Sequence, residues 1–341
     1  MSDATMTAIR LHEFGGPEVL RADEVAIPQP GTGEVLVRVH AVRVNPPDWY
    51  VREGMPGVPR EVIALPDLPL IPGTDVSGVV AAGGPDGGAP DAGGFAVGDE
   101  VFGMLRFPGF DGRGYAEYVT APVADLARKP AGVSHLHAAG APMAALTAWQ
   151  FLIDVGHDQP NPFQAAPHHP VPIGPGTRVL VNGAAGGVGH LAVQLAKWRG
   201  AHVTAVASAA HERFLRELGA DEFIDYTTSP PEGVAHDLDL VLDTVGGPAS
   251  GRLLRTLRRG GALFPVFLAE YDPEEVARLG VTTSSTQVRS NGAQLAELAR
   301  LLDNGDLRVA VDSTYPLADA AEAHQRAARG HLRGKIVLTV R

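Results

Sequence analysis

Three glycines at a regular spacing are the strongest chemical signal in the sequence. Gly183, Gly186 and Gly189 follow the apolar run 179–181 and precede 190–199, a segment with the composition of a helix. In that context one glycine permits a tight turn, another lets the backbone approach a diphosphate, and a third lets the helix pack closely on the strand. The helix N-terminus would bind the phosphates. The spacing therefore predicts dinucleotide binding, with a glycine-rich turn that binds nothing as the alternative. The predicted contact residues are Gly183, Ala184, Gly186, Gly187, Val188 and Gly189.

The residues after the next predicted strand indicate which dinucleotide binds. Sites for NAD usually carry an acidic residue at this strand end, where it contacts the ribose hydroxyls. Here the strand 202–207 is followed by Ser208, and His211 and Arg213 come within the next turn. A hydroxyl and a cation suit a 2′-phosphate, which an acid would repel. Ser208 and Arg213 therefore predict NADPH rather than NADH, while Glu212 leaves NADH open because its carboxylate could contact the ribose.

Composition excludes several classes of protein. The chain has 341 residues and no cysteine, which rules out disulfides, thiol nucleophiles, iron–sulfur clusters and cysteine-bound zinc. The net charge is −11, whereas proteins that bind nucleic acid usually carry a basic surface. No apolar run reaches the roughly 18 residues of a membrane span, and the N-terminus lacks the pattern of a signal peptide. We therefore predict a cytoplasmic protein that binds neither nucleic acid nor a membrane.

The chain divides into two kinds of segment, as its length leads us to expect. Short alternating runs separated by Gly, Pro and Asp indicate a β-rich region over about the first 125 residues. From Thr177 onward, apolar strands alternate with amphipathic helices, which is typical of a parallel sheet covered on both faces. The patterns predict one buried helix over 135–155, another helix over 248–261, and a strand over 281–288.

Two proline-rich segments, 55–70 and 156–176, interrupt these patterns. The second contains His157, His168 and His169 but lacks the spacing of a metal-binding motif, so we predict a solvated loop and no metal site. Either segment could reshape a substrate-binding mouth, or differ in length without functional consequence.

Nine motifs, spread in order over nearly the whole chain, carry a family resemblance. They are VNPPDWYVREG (44–54), LPLIPGTDVSGVV (68–80), GDEVFGM (98–104), GYAEYV (114–119), AALTAW (144–149), GAAGGVG (183–189), LGADEFIDY (218–226), DLVLDTVGG (239–247) and HLRGKIVLTV (331–340). Together they resemble the medium-chain dehydrogenase/reductase superfamily, in its zinc-independent quinone oxidoreductase branch, the zeta-crystallin-like group.

The resemblance implies an α/β fold with two domains. A GroES-like β-rich catalytic domain would span 1–128 and be completed by 306–341. A Rossmann domain with a doubly wound parallel sheet would span 129–305 and bind NADP. The resemblance also implies a homodimer.

The sequence departs from the zinc-dependent members of the superfamily at the positions of their zinc ligands. Those members hold zinc through a cysteine in the region of Asn45 and through a histidine in a Gly-His-Glu motif, which here reads Gly73-Thr74-Asp75. The metal that would polarise an alcohol would then be missing. The resemblance therefore implies hydride transfer to an acceptor that is already electrophilic, such as a quinone or an α,β-unsaturated carbonyl.

The resemblance also implies catalytic roles. Asn45 would face the nicotinamide and the substrate. Tyr50 would donate a hydrogen bond to the developing enolate or hydroquinone oxygen, with packing beside Trp49 as the alternative. Thr147 would contact the nicotinamide end of the cofactor, or else bond only to its own helix.

Three further residues would contact the cofactor by the same resemblance. Tyr226 would lie near the adenine or the 2′-phosphate, and Phe267 would line the nicotinamide pocket. Lys335 would reach a cofactor phosphate from the C-terminal segment, with solvent exposure as the alternative. The predicted activity is NADPH-dependent reduction of a quinone or enone. An enoyl reductase acting on an acyl thioester or biosynthetic intermediate, and a non-catalytic NADPH-binding protein, remain open.

Overall fold

The N-terminal region and the C-terminus of the chain build one sheet together. The computed structural model describes residues 4–56, 65, 67–85, 94–159, 161 and 167–340. It begins with an antiparallel hairpin of β1 (Thr5–Leu11) and β2 (Leu20–Ala26). A seven-stranded sheet follows, in the order β14-β15-β3-β4-β5-β7, with β6 paired to β3. Its strands are β3 (Glu34–Val44), β4 (Asp75–Gly83), β5 (Glu100–Met104), β6 (Tyr118–Pro122), β7 (Leu126–Arg128), β14 (Val311–Pro316) and β15 (Lys335–Thr339).

Alternation along β3 explains how this sheet forms its core. Val35, Val37 and Val39 are all fully buried in one apolar cluster, as the period of two in a strand requires. The last strand, β15, pairs antiparallel with β3 and places Ile336 opposite Val44. The C-terminal segment thus adds β14 and β15 to the sheet of the N-terminal region.

The second sheet has six parallel strands in the order β10-β9-β8-β11-β12-β13. The strands are β8 (Arg178–Asn182), β9 (His202–Ala207), β10 (Glu222–Asp225), β11 (Leu238–Asp243), β12 (Leu257–Pro265) and β13 (Thr282–Thr283). From β8 the chain first adds strands on one side and then, at β11, on the other. That reversal opens a crevice at the carboxyl ends of β8 and β11, where doubly wound sheets bind ligands.

Apolar cores cover both faces of the second sheet. On β8, Val179 and Val181 pack into one cluster, and Leu180 between them packs into another. The near-continuous apolar strands predicted from the sequence are therefore required, because both faces are buried. The predicted fold class, a GroES-like domain with a Rossmann parallel-sheet domain, is confirmed.

The helices of the chain are short. They are α1 (Pro46–Arg52), α2 (His135–Gly140), α3 (Pro142–Leu152), α4 (Gly189–Trp198), α5 (Glu212–Glu217), α6 (Pro231–Val234), α7 (Pro273–Leu279), α8 (Gly292–Asn304) and α9 (Ala320–Ala328). Among the residues that the structure describes, no helix is long and apolar enough to cross a membrane.

The predicted single helix over 135–155 is wrong. It is two helices, α2 and α3, that meet at Ala141 and Pro142. Proline has no N–H, and the next N–H, of Met143, donates to both carboxylate oxygens of Asp75 at 3.1 Å. Although α2 follows residue 128, it packs on the first sheet, where Ala139 contacts Ala41 and Val337.

Two other predicted elements are shorter than expected. In place of a helix over 248–261, the chain forms a 3-10 helix, Ser250–Thr256, followed by β12. The left-handed backbone of Gly260, with φ of +81°, does not fit a continued helix. The predicted strand over 281–288 is only β13, since Ser285 and the residues after it turn into a cleft between the two sheets.

Candidate functional site

The glycine loop makes a close turn between β8 and α4. Gly183 has φ of +73°, a conformation that favours glycine. At Gly189, a Cβ atom would lie 2.3 Å from the carbonyl oxygen of Gly183 and 2.7 Å from the Cα of Ala184, so no larger residue fits without a backbone shift. The loop thereby presents the N-terminus of α4, the positive end of the helix dipole, to the crevice.

Two buried cations lie beside the same loop. The Nζ atom of Lys335 donates to the carbonyl oxygen of Gly187. A Cβ at Gly187 would lie 2.9 Å from that Nζ and 3.0 Å from Nη2 of Arg43. Burial and the charge of Arg43 hold the pKa of Lys335 well below its ordinary value. Two cations and a helix N-terminus suit a diphosphate, whose charge would compensate them.

Arg43 is held in place by Asp75. Its Nη1 lies 3.4 Å from the Asp75 carboxylate, and both side chains are buried. Burial lowers the pKa of Arg43, and the charge of Asp75 acts against that shift. Burial also raises the pKa of Asp75, which the guanidinium and the Met143 N–H oppose. The pair therefore joins β3, β4 and α3 beside the glycine loop.

The residues at the positions of the superfamily's zinc ligands do not fit a zinc ion. Asn45 is buried, with Nδ2 3.5 Å from Thr74 Oγ1, and Asp75 is engaged by Arg43 and a backbone N–H. Zinc sites in proteins use thiolates, imidazoles and free carboxylates. Within the described part of the chain, no group of three His, Asp or Glu side chains is arranged to hold a metal.

His168, in the segment predicted to be a solvated loop, is not exposed to solvent. His168 is buried, its Nε2 lies 3.0 Å from the carbonyl oxygen of Phe151, and its Nδ1 lies 2.8 Å from Oγ of Ser284. Because a carbonyl only accepts, Nε2 carries the proton and Nδ1 accepts from the serine. Burial lowers the pKa of His168 to about 4. This side chain fixes its part of the segment to Phe151 and Ser284. Residues 160 and 162–166 lie outside the described residues, as do 57–64 and 66 of the other proline-rich segment.

One end of the cleft lies where β9 and β10 end. Ser208, His211 and Tyr226 line it, together with His331 from the C-terminal segment. Burial lowers the pKa of His211, and the charges of Arg333 and His331 lower it further. A hydroxyl and two imidazoles thus line the position expected for a 2′-phosphate, and the charge of Arg333 acts on His211 from outside the lining.

The structure does not bring Arg213 to this end. Its side chain is 92% exposed and donates to Glu217 at 2.8 Å, along the outer face of α5. Glu212 is also turned away, 3.4 Å from Arg216. The positive charge that acts on His211 comes instead from Arg333, in a segment distant in sequence. Only its place within the motif HLRGKIVLTV hints at that role.

The opposite end of the cleft is aromatic. Tyr50 of α1 stacks on Phe267, which follows β12, with ring centroids 5.6 Å apart and planes at 11°. Trp49 lies beside Tyr50, at 5.9 Å between centroids. Burial raises the pKa of Tyr50, so its hydroxyl keeps its proton at neutral pH. Further apolar residues line this end: Leu65, Phe107, Phe110, Phe151 and Val288.

Two predicted site residues, Thr147 and Asn45, are placed less favourably for direct contact with a cofactor or substrate. Thr147 lines the cleft, but its hydroxyl donates to the carbonyl oxygen of Met143 at 2.6 Å. The side chain of Asn45 is fully buried behind the wall that Val44 and Pro46 form. Its Oδ1 has no hydrogen-bond partner among the described residues.

Both ends belong to a single cleft of about 1800 Å³ between the two sheets. The loops after β8, β9, β10, β11 and β12 form one wall. The other wall consists of α1, the end of β3, residues 107–111 and the C-terminal segment.

The sequence analysis did not identify Arg43. The feature that could have indicated it is a single charge within the otherwise apolar run 41–44, immediately before Asn45.

Comparison with known proteins agrees with this arrangement. The family described as alcohol dehydrogenase GroES-like domain matches residues 31–131, and the family described as zinc-binding dehydrogenase matches 218–338. A mitochondrial NAD(P)H oxidoreductase of Mus musculus is 33% identical over 98% of this chain and 89% of its own. The chloroplastic quinone-oxidoreductase QR1 of Triphysaria versicolor is 33% identical over 99% of both chains.

Solved structures show the same similarity. The quinone oxidoreductase from Coxiella burnetii is 30% identical, with a TM-score of 0.84 over 99% of this chain and all of its own. A mycobacterial protein complexed with NADPH is 31% identical, with a TM-score of 0.82 over 98% of this chain and 99% of its own. The protein therefore belongs to the medium-chain dehydrogenase/reductase superfamily, in its quinone oxidoreductase branch.

Proposed function

We propose that the protein is a reductase that uses NADPH to deliver a hydride to a quinone or an α,β-unsaturated carbonyl, without zinc. One observation carries this proposal: a single cleft joins an electropositive glycine loop to a chamber of aromatic side chains. A charged cofactor and an apolar acceptor would each meet matching surroundings, and the two would be held side by side. The similarity to an NAD(P)H oxidoreductase and to a quinone-oxidoreductase agrees with it.

The cofactor would be held by residues from both sheets. The glycine loop, Lys335 and Arg43 suit the diphosphate, while Phe267 and Thr147 line the nicotinamide end. Reduced nicotinamide supplies the hydride when bound. The protein's own contribution is to orient the two reactants and to exclude water from the space between them.

The preference for NADPH rests on the end of β9. Ser208 lies where an acidic residue would select NADH, and the charge of Arg333 acts on His211, which lines the same end of the cleft. Glu212, the residue that kept NADH open, is paired with Arg216 and turned away. The NADPH bound to the mycobacterial neighbour supports the same preference.

The acceptor must be electrophilic by itself. The carboxylate of Asp75 is already neutralised by Arg43, so this position offers no free ligand to a metal that could polarise an alcohol. A quinone or enone needs only a hydride and then a proton at oxygen or carbon. Tyr50 holds a proton in the aromatic chamber and could hydrogen-bond to the developing oxyanion.

Two other expectations remain predictions. A homodimer was implied by resemblance alone, and the described contacts are those within one chain. The cytoplasmic location also remains a prediction, because the two relatives are described as mitochondrial and chloroplastic proteins.

The test is to mix the protein with NADPH and a panel of quinones, enones, acyl-thioester enones and alcohol oxidation products. Oxidation of NADPH with quinones or enones, unchanged after treatment with a chelator, is the expected result. Tight NADPH binding without turnover of any acceptor would favour a non-catalytic binding protein. Loss of most activity on chelation would refute the zinc-free mechanism.

A further inference from the structure

A charged pair lies in the cleft beyond the 2′-phosphate position. Glu232 is on α6, just after β10, and Arg252 is on the 3-10 helix that follows β11. Nη1 of Arg252 lies 3.4 Å from Oε1 of Glu232, and both residues line the cleft. The second carboxylate oxygen of Glu232, Oε2, is buried and accepts no hydrogen bond from any residue that the structure describes.

The pair stands at the edge of an apolar slot. Pro231 and Leu253 are buried, and Ala249 and Val245 line the cleft beside them. Tyr226, the residue after β10, completes the surroundings and is 48% exposed. Such a slot fits a flat, uncharged ring whose polar atoms lie along one edge.

The order of the strands indicates which ring of the dinucleotide would occupy the slot. The glycine loop follows β8 and would bind the diphosphate, and Ser208 follows β9 and would face the 2′-phosphate. The base is bonded to the same ribose as the 2′-phosphate, so it would lie beside Ser208, in the part of the cleft that the loops after β10 and β11 also line. Those loops carry Glu232 and Arg252.

We infer that Glu232 and Arg252 read the edge of the adenine base and so make the enzyme selective for adenine dinucleotides. This inference rests on the proposed function. Adenine presents an amino group, a donor, next to ring nitrogens that accept. A carboxylate only accepts and a guanidinium only donates, so the pair is complementary to that edge. The free Oε2 of Glu232 is the acceptor that the amino group would meet.

The test compares NADPH with its analogue that carries hypoxanthine in place of adenine. Hypoxanthine has a carbonyl oxygen where adenine has the amino group, so Glu232 would face an acceptor. We expect the wild-type protein to bind NADPH about tenfold more tightly than the analogue in a fluorescence titration. In Glu232→Gln the side-chain amide can donate to that carbonyl, so the ratio should fall toward one.

Matched variants separate the possible outcomes. Glu274→Gln changes an exposed carboxylate on α7, outside the cleft, and should keep the wild-type ratio. Arg252→Leu should weaken NADPH binding several-fold, since it removes the donor. A wild-type ratio within twofold of one, or an unchanged ratio in Glu232→Gln, would show an ordinary surface ion pair and overturn the inference alone. Failure to bind either dinucleotide would overturn the proposed function as well.

Discussion

The two ends of the cleft are lined by different kinds of chemical group. At the proposed cofactor end, the walls consist of backbone atoms and buried charges: the glycine loop, the N-terminus of α4, Lys335 and the Arg43–Asp75 pair. At the substrate end the walls are side-chain rings and apolar chains, with Tyr50 stacked on Phe267. Backbone geometry tolerates little change, whereas an apolar wall can accept rings of several shapes.

The two ends of the cleft should therefore respond differently to substitution. A change at the cofactor end should affect every reaction of the enzyme, because the same dinucleotide serves each acceptor. A change at the substrate end should alter the rate for particular acceptors and leave cofactor affinity intact. Variants at the two ends test this division, and the largest effect is expected at the glycine loop.

Gly189→Val should weaken NADPH binding by roughly a thousandfold, because its side chain would collide with the backbone at Gly183 and Ala184 and displace the loop. Fluorescence titration with NADPH measures the loss, and a thermal melt reports whether the fold survives. Gly132→Ala is the control, since a Cβ there meets nothing within 4 Å. Affinity within tenfold of wild type would mean that the loop does not contact the dinucleotide.

Tyr50→Phe should reduce kcat by about a hundredfold if the hydroxyl donates to the developing oxyanion. The ring and its stack on Phe267 are preserved, so the affinity for NADPH should remain at the wild-type value. Steady-state kinetics with one quinone and one enone give the separation between kcat and KM. An unchanged kcat would leave Tyr50 as a packing residue and assign the proton to solvent.

Lys335→Met should weaken NADPH binding by about thirtyfold, since a cation beside the diphosphate is lost. The protein itself should not lose stability, because a buried ammonium costs free energy that an apolar side chain of similar length does not. A binding titration and a urea unfolding curve test the two halves of this prediction. Marked destabilisation with unchanged affinity would make Lys335 a structural residue.

Ser208→Asp should weaken NADPH about tenfold more than NADH, because a carboxylate repels the 2′-phosphate and suits the ribose hydroxyl. Arg213→Ala is the matched control and should leave the ratio of the two affinities unchanged, since that side chain is turned to solvent. Equal losses for both dinucleotides in Ser208→Asp would move the 2′-phosphate away from β9.

Per pH unit, the change in stability should be the smallest of these effects, and it should not separate the two ends. Burial lowers the pKa values of His190 and His324 to about 3 and that of His168 to about 4. Below the ordinary histidine pKa, near 6.5, the unfolded chain binds protons that the folded protein excludes, so stability is lost as pH falls.

Buried carboxylates act in the opposite direction. Burial raises the pKa of Asp48 to about 7 and also raises that of Asp75. Burial also lowers the pKa values of His135, His157 and His211 and raises that of Asp125. The lowered histidines outnumber the raised carboxylates, so the free energy of unfolding should fall by on the order of 1 kcal/mol per pH unit between about pH 6.5 and 4.5. Urea unfolding at several pH values measures the slope. His324→Gln should reduce it, and stability that rises on acidification would contradict the prediction.

Local patterns in the sequence determined a definite part of this protein. The spacing of Gly183, Gly186 and Gly189 specified a strand, a tight turn and a helix, because these depend on neighbouring residues and on backbone sterics. The period of the apolar residues specified which segments are strands of a parallel sheet. The absence of cysteine excluded thiolate ligands, since no arrangement of the chain can supply a side chain that it lacks.

Only the tertiary structure decided which distant residues share a site. Lys335 meets Gly187 across 148 residues of sequence, and Arg52 meets His324 across 272. Arg213 is turned to solvent, whereas the charge of Arg333, 120 positions later, acts on His211. Arg43 at the end of β3 lies beside Gly187 of the glycine loop. Such contacts depend on how sheets and loops pack, and a side chain's orientation on a short helix cannot be read from its type alone.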